Sequence, residues 1–94
     1  MRVKPQERFK KDMLRYRHDR SALKDVDGVI QLLKTGEPLP AEYDGHALHG
    51  EWVGYLECHC QADLLLVYQR KKNEIRLARL GRHAELFRKR QRSE

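Results

Sequence analysis

Between His46 and Phe87 the chain gathers four of its five histidines, its single tryptophan and both cysteines, in the segments HALHGEWVGYLECHC, ADLLLVY and ARLGRHAELF. Histidine is the side chain whose ordinary pKa lies closest to neutrality. A set of them near Glu57 and Asp63 is therefore suited to proton transfer, one ring acting as base and another as acid. His46, His59, Asp63 and His83 are the candidates for that work, with Glu57 beside them. Each also has a plain structural use: His59 can pair with Glu57 or Asp63, Asp63 suits a turn, and His83 can cap a helix. His18 lies in a charged link, and His49 has no partner that spacing identifies.

A metal reading competes for the same residues, because zinc accepts mixed nitrogen and sulfur donors. The spacing speaks against it. A C-x-C at Cys58 and Cys60 on a strand face shared with Trp52 and Leu56 reads as core, and no pair has the C-x2-C or H-x3-H separation. The two thiols are also poorly placed to bridge each other, so both are expected to be reduced. There is no Gly-rich phosphate loop, no G-x-S-x-G elbow and no cysteine with an activating base, so no cofactor or metal is expected.

The elements that must position these residues follow from periodicity. Phe9, Met13 and Tyr16 recur at helical spacing, and Pro5 is tolerable in a first turn, which predicts a helix over residues 5–18. Leu23, Val26, Ile30 and Leu33 mark a second, stopped by Gly36 and Pro38. The short link HDRS should fold the pair into a hairpin over residues 1–36. Residues 37–50 read as a long loop, of the kind that often carries function.

From Glu51 the period becomes two. Trp52, Leu56, Cys58 and Cys60 should share one face, and Val53, Tyr55, Glu57 and His59 the other. Leu64 to Arg70 is a near-continuous apolar run fit for a central strand, KKNE is a turn, and Ile75 to Leu80 is a third strand. Short links favour antiparallel pairing over residues 51–83, and a strand at residues 1–4 is only weakly signalled. A short helix should begin near Ala84, and the basic tail 88–94 has no apolar anchor. The reading is a single α+β domain over 1–94: a helical hairpin on one face of a twisted antiparallel sheet of three to four strands, with a short C-terminal helix. On that sheet Glu57 and His59 lie roughly 6–7 Å apart along one strand face, and a two-residue turn should bring Asp63 near His59.

Composition limits the function classes. Ninety-four residues suffice for one modest core. No apolar run approaches the roughly 20 residues of a membrane span, and Met1 to Lys11 lacks an apolar signal core, so no membrane partner and a cytoplasmic address are expected. The net charge of +6 is unevenly spread. Residues 1–20 carry eight Lys or Arg against three acids, 21–69 two against eight, and 70–94 ten against three. Basic ends around an acidic middle suit a polyanion, since each phosphate neutralised releases counterions.

From about Leu39 to Phe87 the order of residues resembles the YafQ-type branch of the RelE-like bacterial toxins. His46 precedes L-x-G-x-W-x-G-Y (Leu48 to Tyr55); an acid-x-His pair follows (Glu57, His59), then a D-x-x-L-x-Y strand (Asp63 to Tyr68) and a closing R-x-G-x-H-x-x-L-F (Arg79 to Phe87). The chain departs from that pattern at Leu64, where tryptophan is usual, at Cys60 in a usually aliphatic position, at Leu80 and Arg82 around Gly81, and in its longer basic tail. Leu64 and Arg82 bear on how RNA would be held.

The resemblance implies an endoribonuclease that cleaves mRNA on the translating 70S ribosome and is silenced by a cognate, DinJ-like antitoxin. It also implies the fold of the small microbial ribonucleases. By motif position His46, His59, Asp63 and His83 form the acid–base set, Glu57 stands nearby, Phe87 shapes the groove or stacks on a base, and Trp52 is mainly core. Cutting RNA without a metal needs a base for the 2′-hydroxyl proton, an acid for the leaving 5′-oxygen and cations for the charge between them. Arg79 is the candidate for the phosphate, His83 for the acid, and His46 or His59 for the base. Helix 1 and the RKRQR tail would grip ribosomal RNA and attract an acidic antitoxin segment. An RNA-binding module of the same fold without activity, or a zinc-dependent hydrolase, are the other readings.

Overall fold

The computed structural model describes the backbone of residues 1–92 and the side chains of residues 1–87. In chain order the elements are β1 (Arg2–Pro5), α1 (Glu7–Leu14), α2 (Arg20–Lys34), β2 (His46–Ala47), β3 (Leu56–Gln61), β4 (Leu64–Arg70), β5 (Glu74–Gly81) and α3 (His83–Arg92). Single 3-10 turns lie at Ala41–Tyr43 and Gly50–Trp52. Among the described residues five strands make one sheet in the order β1-β5-β4-β3-β2. β1 runs parallel to β5, and every other neighbouring pair is antiparallel. No helix among the described residues is long and apolar enough to cross a membrane.

The α+β class agrees with the sequence reading, but the sheet is mixed and five-stranded, not antiparallel with three to four strands. Pro5, expected in the first turn of a helix, instead ends β1 opposite Leu77, and the Gln6 amide continues the ladder to the Leu77 carbonyl. An edge strand tolerates proline because that residue's missing N–H can face away from its neighbour. The helix predicted over 5–18 is thereby shortened to Glu7–Leu14. Beyond it, the Arg15, Tyr16 and Arg17 amides each bond a carbonyl three residues back, and the Asp19 carboxylate caps α2 through the Ala22 amide at 3.0 Å. α1 lies chiefly along β5 and α2 along β3, so the expected hairpin is held by the sheet more than by itself.

β4 occupies the middle of the sheet, as its unbroken apolar run requires. Leu64, Leu66 and Tyr68 face the helices, where they meet Phe9, Tyr16, Val26, Val29, Leu33, Cys58, Cys60, Ile75, Leu77 and Leu80. Leu65 and Val67 face the other way and are covered by Leu86 and by Leu48, Trp52, Tyr55, Ala78 and Phe87. Trp52 therefore belongs to the face opposite Cys58 and Cys60, contrary to the alternation expected from Glu51. The 3-10 turn Gly50–Trp52 and Gly54, at φ +94°, break the strand period before β3 begins at Leu56. Both cysteines are buried and free, and the Cys58 contact with burial pushes the Cys60 thiol pKa up, so it stays protonated.

Two local constraints hold the ends of this sheet. At the outer edge of β5, beyond the reach of β1, buried Asp12 accepts from Arg79 Nε at 2.8 Å, from Arg79 Nη2 at 3.2 Å and from the Leu80 amide at 2.9 Å. At Gly81, a Cβ would lie 2.7 Å from Glu85 Oε1 and 3.2 Å from Leu86 Cδ2, so a bare backbone is what lets α3 fold back onto β5. The backbone of the basic stretch 88–94 is part of α3 as far as Arg92, and its side chains lie outside the described residues. Asp12→Ala should lower stability by about 3–5 kcal/mol in urea unfolding, because it strands a buried guanidinium. Gly81→Ala should cost about 1–3 kcal/mol by crowding α3.

Candidate active site

The site lies on the sheet face away from α1 and α2, and strand register assembles it. His46 of β2 pairs with Glu57 of β3, Glu57 with Val67 of β4, and Val67 with Arg79 of β5, so these four share one row across the sheet. A second row runs from His59 through Leu65 to Gly81. The chain enters α3 two residues after Gly81, which swings His83 over the second row. The His59 and His83 ring centroids are 6.4 Å apart, and Phe87, one turn further along α3, lies 5.9 Å from His83 and 6.3 Å from Trp52.

Each histidine is tied to an acceptor. His46 Nε2 lies 3.0 Å from Glu57 Oε1, and its Nδ1 lies 3.1 Å from the Asp44 carbonyl oxygen. Glu57 is buried at 3% exposure, so its charge is taken from water and needs this partner. With Glu57 ionised, both contacts are satisfied together only by a ring protonated on both nitrogens. His59 Nε2 stands 3.6 Å from Asp44 Oδ2, and His83 Nδ1 stands 3.5 Å from Asp63 Oδ1. The Asp63 carboxylate also accepts from the His83 backbone amide at 3.3 Å, as a cap on the start of α3.

Two placements differ from the sequence expectation. Spacing alone puts Asp63 beside His59; the Ala62–Asp63 turn, after a register shift between His59 and Gln61, turns its carboxylate toward His83 instead. The carboxylate near His59 comes from Asp44, which spacing does not single out. Asp44 has φ +48°, a left-handed conformation that Asp adopts more readily than most residues. The Asp44–Gly45 dipeptide, a turn signal directly before His46, is the clue that the sequence offers. Arg79 starts in the His46 row, but its guanidinium is turned to the edge of β5 and held by Asp12.

α3 is fastened from below. Tyr16 Oη donates to Glu85 Oε1 at 3.0 Å, and the Arg82 amide donates to the same oxygen at 2.9 Å. Burial, with Glu85 beside it, raises the Tyr16 pKa, which keeps the phenol a donor well into alkaline solution. Among the described residues no three or more His, Cys, Asp or Glu side chains are grouped to hold a metal ion.

Residues 1–88 match the family described as bacterial toxin of type II toxin-antitoxin system, YafQ. The chain belongs to the YafQ family. It is 41% identical over 56 residues to the mRNA interferase toxin YafQ of Escherichia coli strain K12, a stretch covering 60% of this chain and 61% of that protein. The matched stretch thus spans about three fifths of the curated YafQ relatives' length. The crystal structure of YafQ from Escherichia coli strain BL21(DE3) superposes with a TM-score of 0.85 at 29% identity, covering 93% of this chain and 99% of that one. YafQ in the Escherichia coli DinJ-YafQ toxin-antitoxin complex gives 0.81 at 30% identity, over 90% and 94% of the two chains.

The YafQ-type motifs thus fall on the two sheet rows and the α3 turn that meet in the site. The Glu57–His46 pair yields a direct test of its charge. His46→Ala should lower stability by about 1–3 kcal/mol in denaturant unfolding, since it leaves a buried carboxylate unpaired. Adding Glu57→Gln should recover part of that loss, because a neutral amide is less costly to bury. A double variant no more stable than His46→Ala alone would show that the pair is not ionic.

Proposed function

We propose that this chain is the toxin of a toxin–antitoxin pair and acts as a metal-independent endoribonuclease on mRNA at the ribosome. The observation that carries this is the placement of His59 and His83 across a gap of 6.4 Å, each backed by a carboxylate, with a third histidine held by Glu57 in the adjoining row. A gap of that size between ring centres suits an acid and a base working on one phosphodiester. The likeness to a protein named mRNA interferase supports the substrate, and the DinJ-YafQ complex supports an antitoxin partner of the DinJ type. The cytoplasm is the matching address.

In this reading His59 is the base. It removes the proton from the 2′-hydroxyl, whose oxygen attacks the adjacent phosphorus. His83, with Nδ1 turned to Asp63, is the acid that protonates the departing 5′-oxygen through Nε2. The products are a 2′,3′-cyclic phosphate and a free 5′-hydroxyl. His46 is less suited to the base role, because Glu57 and the Asp44 carbonyl occupy both its ring nitrogens. As an imidazolium in the same groove it stabilises charge on the phosphorane instead. Arg79 contributes from the end of its row: Asp12 takes Nε and one Nη2 donor, which leaves the Nη1 donors for phosphate oxygen. Phe87 offers a face on which a base can stack. The basic ends of the chain hold ribosomal RNA and draw in an acidic antitoxin segment.

His83→Gln should abolish cleavage of ribosome-bound message while folding and antitoxin binding persist; full activity in that variant would sink the assignment. A chelator should leave the wild-type rate unchanged, and loss of activity on chelation would favour a zinc-dependent hydrolase. Free RNA at physiological salt should be cut much more weakly than ribosome-bound message. RNA binding without any cleavage by the wild type would leave a binding module of this fold.

A further inference from the structure

α1 and the outer edge of β5 enclose a cleft of about 380 Å³ lined by Arg8, Lys11, Asp12, Arg15 and Arg79. Four of the five lining side chains are cationic, and the one acid is already bound by Arg79 and the Leu80 amide. Arg8, Lys11 and Arg15 recur at i, i+3 and i+7, so they stack along one helix face over about 10 Å. Arg15 reaches Glu85 of α3 at 3.6 Å, whereas Arg8 and Lys11 have no side-chain partner among the described residues.

The cleft meets the row of His46 and Glu57 at Arg79. Arg79 belongs to both: its backbone stands in the row of His46 and Glu57, and its guanidinium forms the rear of the cleft. Glu85, which Arg15 touches, lies two residues beyond His83. We propose that this cleft binds a phosphodiester of the same RNA strand that is cut, next to the scissile one, so that the strand runs from the histidine rows over Arg79 onto α1. The proposal rests on the endoribonuclease reading and adds a contact to the substrate itself, separate from any grip on ribosomal RNA. An RNA backbone fits better than an acidic peptide because the strand leaving the histidines must carry its next phosphates past Arg79. A peptide would have to be brought there for the cleft alone.

The test is equilibrium binding of a 2′-O-methyl RNA decamer, which keeps every phosphate but lacks the attacking hydroxyl, to the full chain at a series of salt concentrations. Arg8→Gln with Lys11→Gln changes two exposed side chains and should preserve the fold. It should weaken binding about tenfold and reduce the slope of log K against log salt by about 0.7, the share of the one single-strand phosphate that loses its cations. Lys24→Gln with Lys34→Gln removes the same charge from exposed positions on α2 and should leave the slope near that of the wild type. Equal affinity and slope in wild type and cleft variant would overturn the proposal, as would a loss matched by the α2 control. So would a cleft variant that binds the decamer normally but has lost only a glutamate-rich decapeptide. Because the decamer cannot be cut, binding reads the cleft even if the chain proves to have no nuclease activity. If instead the chain cleaves RNA and the cleft variants bind like wild type, only the cleft assignment fails.

Discussion

Leu65 and Val67 point away from the helices and yet are fully buried, so β4 obliges the chain to cover both faces of its sheet. One face takes α1 and α2, whose apolar stripes are long enough for it. Among the described residues the other is covered by the 48–55 segment and the start of α3. On that face Glu57 and His59 lie opposite Val67 and Leu65, Glu57 buried and His59 partly exposed. The candidate site is thus set on the second face of a central strand that is buried on both sides.

What fills the groove is decided by a single extra residue. Through Tyr68 and Leu77 the β4 and β5 partners keep one register, and at Val67 the partner becomes Arg79, which leaves Ala78 bulged. A shift of one residue exchanges the faces of everything that follows. With strict alternation from Ile75, Arg79 would join Leu77 on the helix face. The bulge instead puts Arg79 in the row of His46 and Glu57, and Gly81 in the row of His59. Gly81 then allows α3 to turn back at close range, and His83 arrives above His59.

The two most buried acids follow one electrostatic rule. Asp12 and Glu57 are both nearly inaccessible, and each is held against a basic side chain, the buried Arg79 in one case and the exposed His46 in the other. A buried carboxylate fixes its partner firmly because separation would strand a charge in a medium that solvates it poorly. The fold thereby sets the position of these two side chains with little freedom of their own. The cysteines show the converse: Cys58 and Cys60 face the helices, packed in the core, with no access to the site.

The sequence alone indicated the two long helices, β3 to β5 and the C-terminal helix in order, and most of the residues of the candidate site. The extents of α2 and β4, the stop at Gly36 and the turn before β5 follow from local periodicity and turn chemistry. His46, His59, Asp63 and His83 stand out by type and by their order in a family motif. Tertiary structure decided the rest, because it depends on contacts distant in the chain. β1 forms only because β5 presents an edge, so Pro5 leaves the helix its spacing suggested. Asp63 serves His83 instead of His59 because the turn it occupies faces the start of α3. Asp44 enters the site by a backbone conformation that no periodicity encodes. Arg79 acquires its buried partner from α1, 67 residues earlier in the chain. Pairing register and the burial of charge are set by the sum of such long-range contacts, and only the folded chain contains that sum.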